Sequence, residues 1–216
     1  MNLDFLTPAA DAEGIVARSP MEGMAKAAGA RFEVRDGWNV AVEYPSRRVA
    51  GEVAWADVSH LAKVELQGIT ETITSLPFGT AVRQDDAWWC RLTESRALVI
   101  GAGGRESFPT DVDVTDVTSN FAALTVTGPL ARETFARFCA LDLRPHVTPV
   151  GALRPGSIGR QPGILIHEAE ARYLLLFGWA TGEYMWSTVA DAAEHLGGGP
   201  VGVDALVAAT SEAARA

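Results

Sequence analysis

Cysteine, basic charge and long apolar runs are all scarce in this chain, and each scarcity removes an explanation. The two cysteines, Cys90 and Cys139, lie far apart in apolar surroundings, so buried free thiols are expected rather than a disulfide framework. Neither belongs to a paired metal-ligand spacing, and His146, His167 and His195 share none, so no metal site is expected. Eighteen Lys and Arg face 27 Asp and Glu, giving a formal charge of −9 and a pI near 4.9. That balance disfavours nucleic acid and anionic lipid as partners. No apolar run is long enough to span a bilayer. The N-terminal MNLDFLTPAADAEG carries Asp4, Asp11 and Glu13 where a secretory leader would be positive. A cytoplasmic protein, with neither membrane nor nucleic acid as partner, is the expectation.

What is present is an ordinary globular composition, 48% hydrophobic and 21% charged over 216 residues, enough to bury a core without a covalent staple. Residues 1–18 lack periodicity and read as an arm. Ser19 can cap, Pro20 suits a first helical position and Gly29 can end the helix, with Met21, Met24, Ala25 and Ala28 on one face. The period then becomes two. Trp38, Val40, Val42 and Tyr44 alternate with Asn39, Ala41 and Glu43, and the stretch from Leu61 to Leu66 alternates likewise before Gly68. Strands are expected around Trp88–Leu92 and Ala97–Ile100. The glycines at 101, 103 and 104 end that run and, with no helix after them, do not make a phosphate loop.

In the second half, Phe121–Thr127 reads as a strand broken at Gly128. Pro129 opens a helix with Leu130, Thr134, Phe135 and Phe138 on one stripe. Pro145, Pro149, Pro155 and Pro162 suggest a long irregular connection. A hairpin is expected with strands at Gly163–Ile166 and Tyr173–Phe177 and a polar tip from His167 to Arg172. A helix over Tyr184–Leu196 is stopped by Gly197-Gly198-Gly199-Pro200. Two strand-then-helix blocks predict an α+β fold, a mainly antiparallel sheet in two halves that face each other across a cleft.

Several stretches, in order, resemble the glycine-cleavage aminomethyltransferase family. They are AGARFEVRDGWNVAVEYP at 28–45, DVSHLAKVELQG at 57–68, the Asp85-Asp86 strand with Arg91 and Leu92, and Phe121 to Pro129. Tyr184-Met-Trp186 and Pro200-Val-Gly202 complete the set. The resemblance implies a folate-binding domain at 19–207, with 208–216 as a tail. The family's Gly-Tyr-Thr-Gly-Glu segment is missing, and so are its C-terminal barrel and the two glycines before its Asp pair. There is also little room for a helix between Gly68 and Leu76. This trimming is similar to the gamma subunit of heterotetrameric sarcosine oxidase, which shares Arg18-Ser19-Pro20 and Leu141-Asp142-Leu143 and whose implied role is structural. The folate-binding proteins of iron–sulfur assembly are ruled out, because their Lys-Gly-Cys-Tyr motif has no counterpart.

What the resemblance implies chemically is tetrahydrofolate-dependent one-carbon transfer, with folate and a small methylated amine or ether as ligands. A carboxylate near the reacting nitrogens stabilises developing cationic charge and moves a proton, and Asp85 holds the family's catalytic Asp position. A pterin needs a carboxylate for its amino and N3–H donors and an aromatic ring to stack on. By offset, Glu170 matches the first, while Trp38, Tyr44 and Trp88 are candidates for the second. Of Trp88 and Trp89, only one can face a given side of a strand. The alternatives are plain: Asp85-Asp86 as a solvated turn, Glu170 as an exposed tip and the aromatics as core. Asp57, Ser59 and His60 include triad residue types, but close neighbours on one strand or turn cannot converge on a point. Two functions stay open, a folate-dependent methyl or aminomethyl transferase and a noncatalytic gamma-type subunit packed against a flavoprotein.

Overall fold

The computed structural model describes residues 14–45, 52–101 and 108–206. The arm up to residue 13, most of the glycine-rich stretch after Gly101 and the tail lie outside them. Ser19 works as a local stop: its Oγ accepts the Met21 N–H at 3.0 Å, and helix α1 (Glu22–Ala27) follows. The helix ends at Gly29, whose φ of +82 suits a residue without Cβ. Strand β1 (Ala17–Arg18) falls within the stretch read as an arm. It pairs in parallel with β3 (Trp38–Glu43), which also pairs with β2 (Arg31–Arg35), and the three make a small sheet ordered β1-β3-β2.

The six-stranded sheet carries β4 (Ala54–Asp57), β10 (Phe121–Thr127), β11 (Leu153–Ile158), β12 (Gln161–Ala169), β13 (Arg172–Gly178) and β14 (Gly199–Pro200). Its order is β11-β12-β13-β10-β4-β14, antiparallel except for the β14–β4 pair. The five-stranded sheet is antiparallel throughout and ordered β6-β7-β8-β5-β9. Its strands are β5 (Lys63–Gln67), β6 (Ala81–Gln84), β7 (Ala87–Thr93), β8 (Arg96–Ile100) and β9 (Asp113–Asp116). Only one helical turn, α2 (Glu71–Thr74), fits between β5 and β6.

Three apolar layers hold these sheets together. On one side of the six-stranded sheet, α1, α3 (Ala131–Ala136) and α4 (Gly182–Glu194) bury Met21, Phe135, Met185 and Trp186 against Trp55, Leu124 and Leu175. The opposite side meets the five-stranded sheet through Ala123, Ile166, Leu174 and Leu176, packed with Trp88, Cys90, Leu98 and Ile100. A third cluster, including Leu66, Ile73, Val99 and Phe108, covers the far side of the five-stranded sheet. The interval between the two sheets, where a cleft was expected, is therefore a packed core. No helix among the described residues is long and apolar enough to cross a membrane.

Several local expectations change. Pro155 and Pro162 lie within strands, not in an irregular connection. Pro155 sits on the edge strand β11, where a missing N–H costs no ladder bond on the open side, and Pro162 lies just before β12 begins to pair with β13. The β12–β13 hairpin is longer than the alternation suggested. Its ladder runs to Ala169↔Arg172, so the tip is only Glu170-Ala171, and His167 is buried. The His167 Nδ1 pairs with the Thr148 carbonyl at 2.8 Å. Tyr44, just past the end of β3, turns into the helix-side core while Val40 and Val42 face the inter-sheet core.

Candidate functional site

The five candidate residues do not meet in one place. Asp85 and Asp86 form the two-residue turn between β6 and β7, with φ of 46 and 62. Positive φ at both positions is the signature of a type I′ hairpin turn, which fits the twist of the flanking strands. Both side chains are exposed, and Asp86 reaches the Arg83 guanidinium at 3.5 Å. Glu170 is exposed at the β12–β13 turn. Tyr44 belongs to the helix-side core, and its hydroxyl is buried without a partner. Burial, with Asp57 nearby, pushes its pKa up. Trp38 packs at the margin of the inter-sheet core, its ring 6.0 Å from that of Trp179.

Trp88 alone of the five sits where the two sheets meet. Strand alternation sends it inward and turns Trp89 to the other face, against Phe108 at 5.8 Å. Arg83, its cross-strand partner on β6, lies 5.3 Å over the ring. The Trp88 indole N–H donates to Glu168 Oε1 at 2.8 Å, a bond between residues 80 apart that ties β7 to β12. Arg172, from the adjacent β13, approaches Glu168 Oε2 at 3.3 Å. Glu168 was not among the sequence candidates. Strand alternation from Ile166, which faces the inter-sheet core, sends Glu168 to the same side, while Glu170 lies past the end of β12 in the turn.

An aromatic ring and a carboxylate do therefore converge, and they are residue types that a pterin would use. Here they satisfy each other. One oxygen of Glu168 takes the indole proton and the other faces a guanidinium, while the surrounding layer is filled by apolar side chains. These residues do not fit a bound folate. Its ring would have to displace Trp88 from the core and strip Glu168 of both partners.

A second polar cluster lies at the Asp57-Val-Ser-His segment. Asp57 Oδ1 accepts the Ser59 N–H at 2.9 Å. Lys63, fully buried, donates from Nζ to the carbonyls of Ser59 and Leu61 at 2.8 Å each. Burial lowers the Lys63 pKa to about 8, with Asp57 opposing the shift. Burial and the Lys63 charge lower His60 to about 4. Asp57 itself is pushed up by burial against its hydrogen bonds from Ser19 and Ser59. The Ser59 hydroxyl donates to the Ala123 carbonyl and accepts the Ala123 N–H, so it is a bridge to β10 and not a nucleophile beside a base. The alternation had given Lys63 to a strand without revealing that it would be buried. Cys90 is buried and free, its thiol pushed up to about 12 by burial, and Cys139 is also free. Among the described residues no group of His, Cys, Asp or Glu side chains could hold a metal ion.

Two facing sheets, with helices on the outer side of the larger one, make a mixed α+β fold of the aminomethyltransferase type. Two solved structures carry that assignment. A chain of the heterotetrameric sarcosine oxidase from Corynebacterium sp. U-96, in complex with pyrrole 2-carboxylate, superposes with a TM-score of 0.64 at 18% identity, over 84% of this chain and 96% of that one. The glycine cleavage system aminomethyltransferase T from Bartonella henselae superposes with a TM-score of 0.69 at 16% identity. That match covers 88% of this chain and 60% of the transferase. No protein-family model and no curated protein matches the sequence.

Proposed function

We propose that this chain is a noncatalytic subunit of a multi-subunit amine-oxidising flavoprotein of the sarcosine oxidase kind, using a folate-transferase fold as a packing module. The observation that carries the reading is the pairing of Glu168 with the Trp88 indole and the Arg172 guanidinium beside the packed apolar layer between the sheets. A transferase must keep space for its cofactor and leave its carboxylate free to bind or to move a proton. The exposed position of Asp85 on a two-residue turn supports the same view, since an acid or base at the surface lacks the dry, preorganised surroundings that raise its effect. The match to 96% of one chain of a heterotetramer favours a part in a similar assembly.

The test has two arms. In the first, the full chain is titrated with tetrahydrofolate while the emission of its six tryptophans is followed. The expected result is no saturable quenching and no rise in Tm, because a ligand that binds the native state must stabilise it. In the second, the tagged chain is expressed in its own host and purified gently. It is expected to elute in a complex that carries flavin absorbance. A micromolar tetrahydrofolate site together with one-carbon transfer from a methylated amine would overturn the proposal in favour of the enzyme reading.

A further inference from the structure

The inner face of the six-stranded sheet carries a trough of about 590 Å³ at its β11–β12 end. Phe121, Ile164 and Leu176 form its apolar floor, and Pro155 and Pro162 flank it. Gly178 adjoins this floor, paired with Phe121 across β13 and β10, and is exposed; a Cβ added there would meet nothing within 4 Å. Ser157, also exposed, lies in the lining itself.

Among the described residues, Arg160 supplies the only charge in the lining. It occupies the second position of the Gly159-Arg160 turn between β11 and β12, with φ of 60. That conformation favours Gly or Asn, and an Arg adopts it at some backbone cost. The guanidinium is exposed, and no hydrogen bond or ion pair holds it among the described residues. In a protein of net charge −9, a cation at the lip of an apolar trough is suited to meet an anion.

From this geometry we infer that the trough is a binding site for a small monoanion with an aromatic or branched apolar body. The volume lies within the range of small-molecule sites, and an apolar wall with one polar anchor is their usual make-up. The anion pairs with Arg160 while the apolar body lies along Phe121, Ile164 and Leu176. Among the described residues no carboxylate lines the trough, so the donors of a pterin meet no charged acceptor from them there, and the site is independent of the subunit proposal.

Two fluorescent probes of similar size test it on the full chain: anionic anilinonaphthalene sulfonate and neutral phenylnaphthylamine. Each is expected to bind once per chain. Ser157→Trp, at an exposed position in the lining, should weaken both at least about tenfold. Arg160→Gln, at an exposed site that does not threaten folding, should weaken only the anionic probe, by roughly three- to tenfold. The absence of saturable binding, or binding that neither substitution changes, would overturn the inference. So would an equal loss of both probes in Arg160→Gln, since the charge would then have no part in recognition.

Discussion

Trp88 and Glu168 are worth more together than apart, because each leaves a polar group stranded when the other is removed. Trp88→Phe should destabilise the fold by about 2 kcal/mol, the scale of a hydrogen bond to a charged group. Glu168→Gln should cost less, since an amide oxygen can still accept the indole proton. A double-mutant cycle of Trp88→Phe with Glu168→Ala, which removes the acceptor, should give a coupling of at least about 0.5 kcal/mol by urea denaturation, and additive losses would show that the contact does not form. His60 makes a prediction in pH. Its folded pKa of about 4 lies below the ordinary 6.5, so between those values the unfolded chain takes up the proton first. Stability should fall as pH drops from 6.5 to 4, by up to roughly 3 kcal/mol from this residue. In His60→Gln that part of the slope should vanish from the denaturation free energy measured across the same range. A slope identical in both proteins would remove His60 from the account.

At the scale of elements, α3 and the β6–β7 hairpin give the clearest expectations. Phe135 is fully buried between Phe138 and Tyr173, with ring centroids 5.4 Å from each. Phe135→Ala should therefore cost about 3–5 kcal/mol, seen as a large drop in Tm. Leu130 and Phe138, on the same stripe, are only partly buried and should cost less. The hairpin behaves oppositely. Asp85 and Asp86 hold left-handed backbone that Asn-Gly adopts more readily, so Asp85→Asn with Asp86→Gly should stabilise the protein by about 0.5–1 kcal/mol. A loss of stability would mean that the aspartates make contacts beyond the Arg83–Asp86 pair.

At the scale of the molecule, one apolar layer draws on both large sheets, so they should unfold together. Calorimetry is expected to give one transition with equal calorimetric and van't Hoff enthalpies. Two separated transitions would show that the halves are independent and the layer between them weak. The same layer explains how much could be read in advance. Alternation of apolar residues located β3, β7, β8, β10 and β13, the 3.6-residue stripe located α3 and α4, and the ordered motifs indicated an aminomethyltransferase-like α+β fold. These are local signals, because side-chain periodicity reports which surface an element buries. Nothing local says what fills that surface from the other side. The partnering of Glu168 depends on an indole 80 residues away. The burial of Lys63 depends on carbonyls of a turn that folds back over it. Whether Asp85 and Glu170 are exposed depends on where each hairpin ends. The amino-acid sequence by itself determined the strongly periodic strands and helices and the class of fold, since those follow from periodicity and turn chemistry. Only the tertiary structure decided that the space beside Trp88 is packed and its carboxylate already partnered, because occupancy is a property of two surfaces meeting and not of either alone.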